Sequence, residues 1–368
     1  MLESQGLAGE GILEGGEYRR GLGPCRPEER GERLLQGQKR SCSLPRPPCN
    51  GHHGGRPCAY QGLRFSVYPT QSPNSTSART ADLAAWLDAA LEPRMGEAGA
   101  AWWAQALERA RGGLEGVSFG ATLPLASRHA ARAGLEPGAQ AIAQAHTLLP
   151  GWNPERWDVL ETMRVRLLLA RPDLAQDSFA ADLEVISRHA DEGELRAIYK
   201  SLALFPNAER FRERGAEGCR TNIVPVFESV ACDTPFPFLH FDELAWNQMC
   251  IKALFMEAPL VRVVGLDRRL NSELARMALD LAEERRSAGR QVQPELWMCL
   301  GTHGGQRALD SLRLELAGDH LAGRRAAYLG LARAGHADSL QPDSDLHGVH
   351  ARVSAGDTGR HSFSQLDD

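Results

Sequence analysis

The chain has 368 residues, room for one or two domains, and a formal net charge of −5. Its basic residues nowhere cluster among interleaved aromatics, which removes the electrostatic footprint of a nucleic-acid binder, and no run of about 18 apolar residues offers a membrane span. Residues 1–77 are dominated by Gly, Arg, Pro, Ser and Glu with no regular apolar spacing, so they cannot bury enough surface to offset ordering entropy and are expected to be disordered. They also lack an apolar core and a small-residue cleavage site of a secretory signal, which points to the cytoplasm. Only Lys39, Lys200 and Lys252 among the 42 basic residues are lysines, the mark of a GC-rich genome. That bias gives residues 1–66 a second explanation, a translated upstream region with the start near Val67.

Helical patterning begins at Thr80, a candidate N-cap, with Leu83, Trp86, Leu87, Ala90 and Leu91 at i, i+3, i+4, i+7 and i+8. A second helix carries Trp102, Trp103, Ala106, Leu107 and Ala110 and stops at Gly112-Gly113. Further helices are predicted at about 119–133, 138–148, 154–170, 178–190, 194–205, 208–219, 222–232, 242–256, 271–288, 294–300, 306–317 and 320–334. "PLVRVVGL" near 259–266 is the one strand-like stretch, and among so many helices it reads as a short helix or an extended connector. From about His336 the chain again lacks periodic apolar residues, so 336–368 is expected to be a disordered tail outside the core.

The folded part is therefore predicted to be one all-α domain over 79–335. Helix ends resemble one another at "LLLARP", "LALFPN", "KALFMEAP" and "LGLARAG", which suggests a HEAT-like helical-repeat array, an α-solenoid. Ala170 to Phe205 is 35 positions but Phe205 to Phe255 is 50, so an irregular Pro-rich insertion breaks the register. Within it Pro225 suits the first turn of a helix, whereas "DTPFPF" should run extended, and Asp242 should cap the next helix, "ELAWNQMCIKALF". On that helix Trp246, Met249 and Phe255 read as core.

The insertion also holds the residues able to do chemistry. Arg220, Asn222 and Asn247 carry planar groups that recognise carboxylates, phosphates or carbonyls, or that brace a loop with unpaired backbone groups. His240 with Asp242 or Glu243 has the composition of an acid/base pair, yet capping and loop hydrogen bonds explain the same three residues. Ser229, Cys232 or Cys250 beside His240 would form a nucleophilic pair, but no nucleophile elbow is present. There is no phosphate-binding loop, "GTHGG" reads as a turn, and H-E-x-x-H is absent. Cys25, Cys42, Cys49 and Cys58 form no C-x-x-C pair, and Cys219, Cys232, Cys250 and Cys299 read as small buried hydrophobes. No catalytic residue, metal or cofactor is assigned.

Residues 217–297, with "RTN", "PVFESVA", "FPF" before "HFDELAWNQM", "KALF", "GLDRRLN" and "PELW", resemble the EboA family. Upstream, "WDVLETMRVRLLL" and "YKSLALFP" extend the resemblance, closely over about 153–300 and loosely over 79–335. The resemblance implies a bacterial protein encoded beside a prenyltransferase-like membrane protein and TatD-like and sugar-isomerase-like proteins, linked to moving a secondary metabolite or its precursor toward the periplasm. It transfers no catalytic residue. The expected function is thus a non-enzymatic metabolite-traffic factor that binds a small metabolite or a pathway protein of the same gene cluster through Arg220, Asn222, His240, Asp242, Glu243 and Asn247. One alternative is an enzyme on an isoprenoid- or sugar-linked metabolite, with His240 and Asp242 or Glu243 as acid/base groups. Another is a pure assembly scaffold. The expected location is cytoplasmic, with peripheral association at the inner face of the cytoplasmic membrane left open.

Overall fold

The computed structural model describes residues 73–113, 116–131, 133–337 and 340–366, so the expectations for 1–72, including a start near Val67, lie outside the described residues. All of the described residues belong to one unit, Ser66–Asp368. Among them no strand forms, and a single β-bridge joins Gly134 to Asp158. The elements in chain order are α1 (Pro73–Leu91), α2 (Glu97–Arg111), α3 (Gly116–Gly120), α4 (Thr122–Leu125), α5 (Ala139–Leu148), α6 (Val159–Leu168), α7 (Asp177–His189) and α8 (Glu192–Ser201). They continue with α9 (Arg212–Gly218), α10 (Val224–Ala231), α11 (Phe236–His240), α12 (Glu243–Met256), α13 (Ser272–Ser287), α14 (Gly305–Leu316), α15 (Leu321–Leu331) and α16 (His347–Ser354). Short 3-10 turns link several of them, including Leu260–Arg262 and Leu266–Arg268 in the strand-like stretch, which is a connector as predicted.

Side-chain caps set where the central helices start. Asp158 and Glu161 form a reciprocal capping box on α6, the Glu161 N–H donating to Asp158 Oδ1 at 2.7 Å and the Asp158 N–H to Glu161 Oε2 at 3.1 Å. Asp191 and Glu194 repeat the arrangement on α8. Asp242 caps α12, as predicted, by accepting from the Ala245 N–H at 2.8 Å. Thr80 does not cap α1, which starts seven residues earlier with Pro73 in the first turn, where proline's missing N–H is no loss.

The apolar spacing of α1 and α2 is realised in the core, with Leu83, Trp86, Leu87, Leu91, Trp103 and Ala106 buried. Trp152 lies edge-on to both Trp86 and Trp157, at 5.0 and 5.7 Å, joining α1 to the start of α6. From there α6 packs on α1 and α8, α8 on α10, α10 on α12, and α12 on α13, with α14 and α15 following as an adjacent pair.

Four further expectations are corrected. The helix predicted over 119–133 is broken into α3, α4 and a 3-10 turn, because Pro124 lacks the N–H that a continuous helix needs. "DTPFPF" is not wholly extended: Pro235 is the N-cap of α11, Phe236 opens it and Pro237 sits in its first turn, positions where a proline's missing N–H is no loss. Phe255 is 58% exposed, while Trp246 and Met249 are buried as predicted.

The fourth concerns the expected tail 336–368, of which residues 340–366 join the core. It forms α16 and a turn at Arg360–Gln365, and it buries Leu346, Val349, Phe363 and Leu366. These residues come as two i, i+3 pairs, too short to register as a helical period. Much of the docking is polar, with Arg325 and Arg360 donating to the carbonyls of Leu366 and Val263, and Tyr328 Oη bonding His350 Nδ1 at 2.7 Å. Val349→Ala should lower the unfolding free energy by about 1.5–2.5 kcal/mol in urea titration, whereas a tail outside the core would leave it unchanged.

Candidate functional site

Helix α12 presents two faces. Trp246, Asn247, Met249 and Cys250 are buried, while Leu244, Gln248 and Phe255 share an exposed face at about 3.6 residues per turn. Between the exposed face and α9 lies a cleft of about 440 Å³. Its floor is Ala216, Cys219, Ala245 and Met249, with Leu244, 66% exposed, at one side. Arg212, Arg220 and Lys252 supply positive charge along it, and Glu213 and Asp242 negative charge. The Lys252 ammonium donates to the Arg220 carbonyl at 2.9 Å and to Asn222 Oδ1 at 3.1 Å, fixing the "RTN" loop against α12.

The six candidate residues therefore divide. Arg220 and Asp242 line the cleft, and Asn222 reaches it through Lys252. Glu243 is exposed in the first turn of α12 and is not among the cleft's lining residues. His240 is half-buried with its ring 5.1 Å from that of Phe236, and burial lowers its pKa, which favours the neutral imidazole. It does not line the cleft, so the acid/base pair is not assembled there.

Asn247 turns inward and exchanges amide hydrogen bonds with Asn271, 3.1 Å in one direction and 2.9 Å in the other. Asn271 in turn caps α13 by accepting from the Leu274 N–H at 2.8 Å. Asn247 thus braces. The Pro-rich segment is held mainly by arginines outside it: Arg269 donates to the carbonyls of Pro237 and Phe238 and lies over the Trp246 ring, and Arg262 binds Asp233 and Glu228.

A second cavity, about 200 Å³, was not anticipated from the sequence. It lies among α8, α10 and the turns at Pro154–Arg156 and Leu260–Arg262, and its charged lining is Arg156, Arg196, Lys200, Glu228, Asp233 and Arg262. Behind it Glu161, only 2% exposed, receives the Lys200 ammonium at 2.5 Å and the Arg196 guanidinium. Burial pushes the Lys200 pKa down, against the pull of Glu161. Lys200 also sits 5.5 Å from the Trp157 ring centroid. Available signals were a lysine inside "IYKSL" in a chain with three lysines, and Glu161 at the third position of a capping box.

None of the thiols among the described residues is exposed or ionised enough to act as a nucleophile. Cys219, Cys232, Cys250 and Cys299 are free and buried, and burial pushes all four pKa values up, to about 12 for Cys219 and Cys299. Among the described residues no three His, Cys, Asp or Glu side chains gather to hold a metal ion, and no helix is long and apolar enough to cross a membrane.

The family model described as metabolite traffic protein EboA matches residues 82–301. This chain belongs to the EboA family. The EboA match spans both cavities and all of α2 through α13, and ends before α14 to α16. No curated protein and no solved structure matches the chain. The motifs that carry the EboA resemblance meet in space: "WDVLETM", "YKSLALFP" and "PVFESVA" supply Trp157, Lys200, Glu228 and Ser229 to the second cavity, while "RTN" and "HFDELAWNQM" frame the first.

Proposed function

We propose that the protein is a non-enzymatic metabolite-traffic factor that holds an amphipathic small molecule in the cleft between α9 and α12. The observation that carries this reading is the cleft's make-up: an apolar floor with Arg212, Arg220 and Lys252 beside it, in a volume typical of small-molecule sites. Such a surface grips an apolar body and orients an anionic or strongly polar end, without requiring a reactive group. The family's metabolite-traffic role supports it. The successive packing of α6, α8, α10 and α12 supports a HEAT-like array as the scaffold, with the segment from Arg220 to His240 inserted into it. We place this handling in the cytoplasm, at the inner face of the cytoplasmic membrane, upstream of transfer toward the periplasm.

An assembly role for pathway proteins is the second reading. It is favoured by Ile223 and Phe255, exposed apolar side chains outside the cleft lining. Comparative metabolomics of a deletion strain tests the first reading. Complementation with Leu244→Asp or Arg220→Glu should reproduce the metabolite profile of the deletion, although both residues are exposed and both variants should fold. Full rescue by both overturns the cleft as the site, and loss confined to Phe255→Asp and Ile223→Asp supports assembly instead.

A further inference from the structure

The cavity beside Lys200 contains two charge clusters of opposite stoichiometry. In one, three cations face two carboxylates: the Lys200 ammonium and the Arg196 guanidinium both bind Glu161, Arg196 also reaches Asp158 at 3.9 Å, and Arg156 at the lining is the third cation. In the other, one cation serves two carboxylates: Arg262 binds Glu228 at 2.6 Å and Asp233 at 2.7 Å. Asp158 caps α6 through Oδ1 and keeps its charge, with Oδ2 toward Arg196. Among the described residues no ion pair joins the two clusters, although the cations of the first and all three members of the second line the same cavity. The first therefore carries about one positive charge in excess and the second about one negative, at a partly solvated cavity where such an excess is costly.

We propose that this cavity binds a small zwitterionic metabolite, its anionic group against Lys200 and Arg196 and its protonated amine against Glu228 and Asp233. A ligand bearing both signs balances both clusters, whereas a lone anion or cation balances one and leaves the other. The volume equals that of roughly seven waters, which limits the ligand to the size of an amino acid or a small amino phosphate. Arg196 and Glu228 are partly exposed, so the cavity opens to solvent on both sides of the charge pattern. This site is distinct from the α9–α12 cleft and stands or falls separately.

Isothermal titration calorimetry on the full chain tests it with 2-aminoethyl phosphate as the zwitterion, and with inorganic phosphate and ethanolamine as its halves; β-alanine, with propionate and ethylamine as its halves, is the carboxylate counterpart. At least one zwitterion should bind about tenfold or more tighter than either of its halves, a difference of about 1.4 kcal/mol. Arg196→Gln and Glu228→Gln should each abolish that preference while keeping the wild-type circular dichroism spectrum, and Leu244→Asp in the other cleft should retain it. The proposal is overturned if neither zwitterion binds, if for both of them a half alone binds as tightly, or if the preference survives both substitutions.

Discussion

Glu161→Ala is expected to lower the free energy of unfolding by about 3–5 kcal/mol, the range for removing one partner of a buried ion pair. Three losses coincide at this side chain. Lys200 and Arg196 lose the carboxylate they share, and the Asp158 N–H loses its acceptor in the capping box. The cost is dominated by the two cations left in a poorly solvated place, not by the attraction that is removed. Lys200→Met should behave differently, changing stability by about 1 kcal/mol or less, because Arg196 and Glu161 remain as a balanced pair and the methionine fills much of the lysine's volume. Chemical denaturation of the two variants side by side reads the stoichiometry directly: equal costs would mean that Lys200, not Arg196, is the essential partner of Glu161.

The helices were legible because their signals are local. Amphipathic spacing placed α2 and the C-terminal part of α1, and Asp242 was readable as the cap that starts α12. The misses share a different cause. Lys200, Glu161 and Arg262 lie 39 and 62 positions apart in sequence, and only the packing of α6 on α8 and α8 on α10, with the Leu260–Arg262 turn paired to Glu228 of α10, brings Lys200 and Arg262 to one cavity with Glu161 behind it. No spacing rule reports that. Asn247 illustrates the converse: its chemistry is equally suited to a ligand or to a backbone, and its partner Asn271 lies 24 positions away. The tail failed because two isolated i, i+3 pairs give no periodicity, while the arginines that hold it belong to α15 and the tail itself. In the proline-rich segment, counting prolines predicted an extended run, but their positions, Pro235 at the N-cap and Pro237 in the first turn, decided the outcome.

Asn247→Ala should cost about 2–4 kcal/mol, from two lost amide hydrogen bonds, the unpaired Asn271 amide and a small cavity. Asn247 is only 1% exposed, so neither water nor a ligand can take over the contacts without moving α12 from α13. Asn271→Ala should cost as much or more, since the α13 cap is lost as well. A double-mutant cycle isolates the pair: the double variant should be less destabilised than the sum of the singles by about 1–2 kcal/mol. The same variant separates bracing from recognition. If Asn247 only braces, its metabolite phenotype should track its folded fraction and recover at reduced temperature, whereas Leu244→Asp should remain defective while fully folded. A stable Asn247→Ala protein that still fails to complement would instead return Asn247 to the ligand side of the cleft.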